Sequence, residues 1–139
     1  MAELAYYADS SAIVKLIVSE PESDVLVEAV GGHDLITSEI ALAEVPRAIH
    51  RLLSGRRARE RQAVERELPR VLESLAYVPV DRSLLVRAGS FREAYLRTLD
   101  AIHVASALAV DTEIEAVVTY DERQVAAAES AGLPCLSPA

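Results

Sequence analysis

Cysteine is nearly absent. The 139 residues include one, Cys135. A single thiol excludes an internal disulfide framework and a cysteine-based zinc site, and a reducing cytosol is the compartment that fits it. Aromatic residues are also scarce: there is no tryptophan, one phenylalanine and five tyrosines. The core must therefore be aliphatic, and a hydrophobic content of 51% is enough to supply it. No apolar run reaches the roughly 18–20 residues of a membrane-spanning helix. The opening MAELAYYADSSAIVKLI has neither a basic leader nor a small-residue cleavage site, so no signal peptide is expected. Low-complexity and disordered stretches are lacking too.

Positive charge is the next scarcity. The net charge is −8, which by itself argues against nucleic acid, because phosphate binding is driven by Lys and Arg. The distribution alters this. Residues 47–70 hold eight of the fourteen basic residues and only three acids (Glu60, Glu65 and Glu67), a local +5 against −13 elsewhere. A basic arm is set on an acidic body. Arg56, Arg57, Arg59 and Arg61 in this arm are candidates for holding a nucleic-acid backbone, and a solvated, Arg-rich helix is the plain alternative.

What is present alternates. The run through Tyr6, Tyr7 and Ala8 to Asp9 reads as a buried strand. SAIVKLIVSE and PESDVLVEAV read as helices, the second closed by Gly31-Gly32. DLITS is a strand, and EIALAEVPRAIHRLLSG a helix that Pro46 should kink. Residues 58–75 form a charged helix, YVPV a strand and SLLVRAGSFREAYL a helix. Thr98 is the expected N-cap of a helix over DAIHVASALA. EAVVTY (115–120) is a strand, ERQVAAAESAG a helix ended by Gly132, and LPCLS a last short strand. Strands alternating with helices predict a three-layer α/β/α fold with a central, mostly parallel sheet. Without repeat or linker, residues 1–139 are expected to form one domain.

In such sheets ligands bind outside the carboxyl ends of the strands. Asp9 and Asp121 each follow a strand, Asp100 opens a helix, and Glu44 sits among Ile40, Ala41, Leu42, Ala43 and Val45. Taken singly, each could be a helix cap or a surface residue. Together, four acids from separate segments able to reach one edge would repel unless a cation neutralised them. Oxygen ligands with no His or Cys beside them suit Mg²⁺ or Mn²⁺. Such an ion can activate water and stabilise charge on a phosphodiester. Ser11 and Thr119 are candidates to hydrogen-bond the carboxylates. His103 is expected to be hydrogen-bonded and partly buried, not a general base. Lys15 is expected at the surface, and Tyr95 and Tyr120 in packing.

YYADSSAIVKLI, SEIALAEVPRA, RTLDAIHVASALA and VVTYDERQVAAAESAGL, in this order, resemble the PIN-domain nucleases, especially the VapC toxins of bacterial toxin–antitoxin pairs. The resemblance runs over nearly the whole chain. It implies the PIN-like fold, Mg²⁺-dependent endoribonuclease activity, dimerisation and inhibition by a small cognate antitoxin. By position it makes Asp9 the first-strand acid and Glu44 the helix acid. Asp100 matches the acid of a D-A-I-H-like motif and Asp121 that of T-x-D, all four surrounding the metal. Asp9 and Asp100 are the expected direct ligands. Glu44 and Asp121 could bind through water, orient the nucleophile or fill a second metal position. Dehalogenase-type phosphatases would need a second Asp where Ser11 stands, and receiver domains a lysine after a late strand, which VVTYDERQVAAAESAGLPCLSPA lacks. A non-catalytic RNA-binding or scaffold module of the same fold is the remaining alternative.

Overall fold

The computed structural model of the chain describes residues 3–139. Five parallel strands form one sheet: β1 (Ala5–Ala8), β2 (Leu35–Ser38), β3 (Ala76–Val78), β4 (Ile114–Val118) and β5 (Cys135–Leu136). Their spatial order is β3-β2-β1-β4-β5. The helices are α1 (Ser10–Ile17), α2 (Ser23–Val30), α3 (Ala41–Leu53), α4 (Ala58–Ser74), α5 (Arg82–Gly89), α6 (Thr98–Ala109) and α7 (Glu122–Ser130).

Alternation along β1 divides the layers, since neighbouring strand residues face opposite sides of a sheet. Tyr6 packs with Ile13, Leu26 and Val45 of α1, α2 and α3, and the half-buried side of α4 closes the same cluster. Tyr7 packs with Ala107, Val117 and Ala128 under α6 and α7. Leu84 and Ala88 of α5 join Ala101, Ile102 and Ala105 of α6 on that second face. The result is the expected three-layer sandwich. Each fully buried side chain such as Ile13 or Leu26 stabilises it by about 1.5–3 kcal/mol. Helix α6 is the most enclosed of the helices, with every residue from Ala101 to Ala107 buried.

The strand order fixes where a site can form. The chain steps outward from β1 through β2 to β3, then returns across the sheet to β4 on the other side of β1. Connections reverse direction between β1 and β4, and the crevice beyond the carboxyl ends of these two strands is left uncovered by either crossover. Ala8 and Val118 are partners in register there, so Asp9 and Thr119 leave the sheet side by side.

Two local expectations change. The helix over SLLVRAGSFREAYL stops at Gly89, because the Ser90 backbone N–H and hydroxyl both donate to the Arg87 carbonyl and end the turn. Thr98 is the first helical residue and not the cap: Ala101 N donates to Arg97 O, which makes Arg97 the cap, with no side-chain bond. Helix α3 runs through Pro46 to Leu53, as the sequence implied, and α4 likewise contains Pro69.

Cys135 lies half-buried on the edge strand β5. Burial, reinforced by the charges of Glu129 and Asp9, pushes its thiol from 9.0 up to about 11. The unfolded chain thus loses this proton first. The thiol's contribution to stability is complete below about pH 9 and is lost as pH rises through about 11. At pH 8, alkylation by iodoacetamide is expected to run about 100-fold slower on the folded protein than in urea, following the thiolate fraction. Equal rates would contradict the buried environment of this thiol.

Candidate active site at the strand ends

Asp9 leaves the carboxyl end of β1 beside β4. Its backbone N–H donates to Val118 O at 3.1 Å, stitching the end of β1 to β4. Its side chain caps α1: Oδ1 accepts from Ala12 N at 3.0 Å and from Ser11 Oγ at 2.7 Å, while Oδ2 accepts from Thr119 Oγ1 at 2.7 Å. The two hydroxyls also receive the chain leaving β4. Ser11 Oγ accepts from Tyr120 N and Thr119 Oγ1 from Asp121 N, each at 3.1 Å. The residue is 2% exposed. Burial pushes its carboxyl above the ordinary aspartate value, although His103, Ser11, Thr119 and Ala12 pull the other way. No Lys or Arg among the described residues pairs with it. A buried carboxylate with hydrogen bonds but no Lys or Arg beside it is a costly arrangement that a cation would offset.

Glu44 follows β2 in the first turn of α3. Its Oε1 accepts from Ser10 Oγ at 2.6 Å and contacts His103 Nε2 at 2.6 Å. The other ring nitrogen, Nδ1, meets the Tyr7 hydroxyl at 2.7 Å, and Ser10 Oγ stands 3.2 Å from Nε2. Burial raises the Glu44 carboxyl, but His103 and the Ser10 hydroxyl outweigh it and hold the group below the ordinary glutamate value. Two expectations are corrected here. The acids do have a histidine beside them, and His103 is not partly but fully buried, at 1% exposure. Part of the signal was in the sequence: His103 comes three residues after Asp100, and that spacing puts both on one helix face, while its pairing with Glu44 depends on the packing of α6 against α3.

Asp100 stands in the first turn of α6, where Oδ1 accepts from Gln124 Nε2 at 3.1 Å. Gln124 is buried in the first turn of α7, so this bond brings Asp100 to the helix that follows β4. Asp121 caps α7 by accepting from Arg123 N at 2.8 Å. All four acids therefore sit at carboxyl-edge starts of helices. They do not close into a ready-made cage: among the described residues, no three His, Cys, Asp or Glu side chains are grouped to hold a metal ion. Mg²⁺ does not need such a cage, since it usually takes one or two carboxylates and keeps several waters. The oxygen-only acids and the uncompensated Asp9 fit a hard divalent cation. Tyr7, Ser10 and Gln124 were not candidates in the sequence, where they read as a strand residue, a helix start and a helix-face residue.

Beside Glu44 opens a cleft of about 750 Å³ between α1 and α3. Lys15 borders it but is engaged: its ammonium is 3.0 Å from Glu22 and 3.6 Å from Glu20, and lies 4.9 Å from the centre of the Tyr120 ring. Arg47 and Arg51 also line the cleft, three and seven residues after Glu44 and so on its helix face. Both are exposed, and neither is in an ion pair among the described residues. Arg56, Arg57, Arg59 and Arg61 follow α3 and are outside this lining. Arg56 faces Glu60 at 3.9 Å, an exposed pair of little energetic weight.

The profile of the PIN domain matches residues 6–130. Over 135 residues the chain is 41% identical to Ribonuclease VapC46 of Mycobacterium tuberculosis, covering 96% of this chain and 98% of that one. The chain belongs to the PIN-domain family, among the VapC proteins. Ribonuclease VapC47 of the same species is 33% identical over 138 residues, covering 95% and 96% of the two chains. Among solved structures, VapBC2 from Rickettsia felis, bound to a DNA fragment from its promoter, superposes with a TM-score of 0.68 at 15% identity over 98% of this chain and 100% of that one. VapC20 of M. tuberculosis, described as a sarcin-ricin loop cleaving toxin, gives 0.62 at 19% identity over 93% and 96%. At these identities the structural likeness is one of fold. In this VapC-family chain, the matched segment runs from β1 through α7 and contains all four acids.

Proposed function

We propose that this VapC-family protein is a metal-dependent endoribonuclease that hydrolyses RNA phosphodiester bonds and acts as the toxin of a toxin–antitoxin pair. The observation that carries this reading is the buried, unpaired Asp9 carboxylate at the β1–β4 crevice, with Glu44 and Asp100 presented from flanking helices. Asp9 and Asp100 would hold Mg²⁺ or Mn²⁺ directly, with Glu44 and Asp121 completing the shell through water. When bound, the ion supplies an activated water and charge stabilisation on the phosphodiester. The chain's own residues do the rest. Ser11, Thr119 and the Ala12 N–H fix Asp9 in one orientation. Gln124 does the same for Asp100. Arg47 and Arg51 hold the RNA backbone in the cleft, and Arg56, Arg57, Arg59 and Arg61 extend the basic surface beyond it.

A small cognate antitoxin, VapB-like, and pairing of two copies of this chain are proposed on the same kinship. Among the described residues no helix is long and apolar enough to cross a membrane, and the cytoplasm is the proposed compartment. The test is incubation of purified protein with total RNA, with Mg²⁺, Mn²⁺ or EDTA, followed by mapping of the new RNA ends. Cleavage is expected with either ion and none with EDTA. RNA binding that EDTA leaves intact, with no new ends under any condition, would favour the non-catalytic module.

A further inference from the structure

We propose that Tyr7 and His103 are a positioning pair that aims Glu44 into the cleft. The proposal rests on the reading of Glu44 as part of the metal site. Glu44 is the longest of the four acids and has one more rotatable bond than the aspartates. Asp9 is held by three hydrogen bonds and Asp100 by one from a buried amide. Glu44 is held by Ser10 and His103 alone, and both act on the same oxygen, Oε1. Oε2 accepts no hydrogen bond among the described residues. Since Glu44 lines the cleft, Oε2 is the atom left to a cation or its water.

The ring that does this is buried at a cost. His103 lies in the run Ala101–Ala107 that packs α6 into the core, where an aliphatic side chain would fill the space without desolvating two nitrogens. Its surroundings satisfy both. An ionised carboxylate only accepts, so Nε2 at 2.6 Å from Oε1 must carry a hydrogen. That holds for the neutral Nε2–H tautomer and for the imidazolium alike. Only the tautomer with a bare Nε2 is excluded. The Tyr7 hydroxyl at Nδ1 fixes the ring from the other side, and Tyr7 itself is fully buried in β1 at the centre of the sheet. A flip of the imidazole would break the bonds to Tyr7 and Glu44 together. The central, fully buried strand thereby sets the direction of a side chain on α3, through a ring on α6.

The first experiment reads the imidazole directly, by ¹⁵N–¹H correlation of the His103 ring in metal-free protein at pH 7. A hydrogen on Nε2 is expected in the wild type. A bare Nε2 overturns the proposal, whether or not the protein cleaves RNA. The second measures Mn²⁺ binding by calorimetry alongside kcat and KM, in His103→Leu and His103→Gln. Leucine keeps the bulk and loses the donor, and a loss of about 10–100-fold in Mn²⁺ affinity or kcat is expected, with KM little changed. Glutamine places an amide N–H where Nε2 was and is expected to recover most of that loss. Leucine and glutamine variants that behave alike, or a leucine variant indistinguishable from wild type, overturn the positioning role. Should His103→Leu fail to fold, Tyr7→Phe removes one oxygen only. It is expected to give a smaller loss in the same direction, and an unchanged Mn²⁺ affinity and kcat would overturn the proposal. Absence of RNA cleavage and of Mn²⁺ binding in the wild type would sink the nuclease reading instead, leaving the ring measurement to decide the geometry alone.

Discussion

Asp9→Asn is expected to abolish RNA cleavage, by more than the roughly 100-fold that loss of an outer hydrogen-bond partner produces, and at the same time to make the metal-free protein more heat-stable. Both effects have one cause. Burial raises the Asp9 carboxyl above its ordinary value, so the folded state holds this proton more tightly than the unfolded chain does. Ionisation of Asp9 therefore destabilises the fold, and stability is lost as pH rises through the raised value. At pH 7 asparagine removes that penalty. It also remains a good N-cap, able to accept from Ala12 N and Ser11 Oγ. The cost is one altered bond to Thr119. Scanning calorimetry without metal should give a melting temperature a few degrees above wild type at pH 7, with the difference shrinking as the pH is lowered. Mg²⁺ should raise the wild type by binding the folded state and leave the variant nearly unmoved. A variant that melts lower than wild type without metal, and cleaves at the wild-type rate, would remove Asp9 from the site and return it to helix capping.

The second large effect belongs to the cleft arginines. Changing Arg47 and Arg51 together to Glu is expected to weaken single-stranded RNA binding at least about 25-fold at 0.1 M salt, the counterion-release contribution of two phosphate contacts. The slope of log K against log salt should flatten by about 1.4. Both side chains are exposed on the Glu44 face of α3, so the fold should tolerate the change. The same reversal at Arg59 and Arg61, outside the cleft lining, is expected to cost less. Fluorescence anisotropy at several salt concentrations separates the two. Equal losses at both pairs would mean that RNA follows the whole basic arm and is not concentrated in the cleft.

The chain order of residues was sufficient for much of this. Short β-branched and apolar runs alternating with helices specified a parallel sheet covered on both faces, because strands of that kind need burial on both sides. Acids placed directly after two strands were legible as edge residues for the same reason. Local pattern failed where a competing local bond decided, as when Ser90 ended a helix that composition would have continued.

Partnership was another matter. Tyr7 and His103 are 96 residues apart, and Asp9 and Thr119 are 110 apart. Nothing in either neighbourhood names the other, because hydrogen bonds across a sheet depend on strand order. Reversal of direction at β1 brings β4 beside it and folds α3, α6 and α7 over one edge. Residue types and their periodicity determined which acids this protein carries and on which elements. Only the tertiary structure decided that Asp9 would be buried without a counter-ion, that a histidine would stand beside Glu44, and which arginines would face the cleft. Those properties are set by distance and solvent exclusion, and neither exists until the layers have packed.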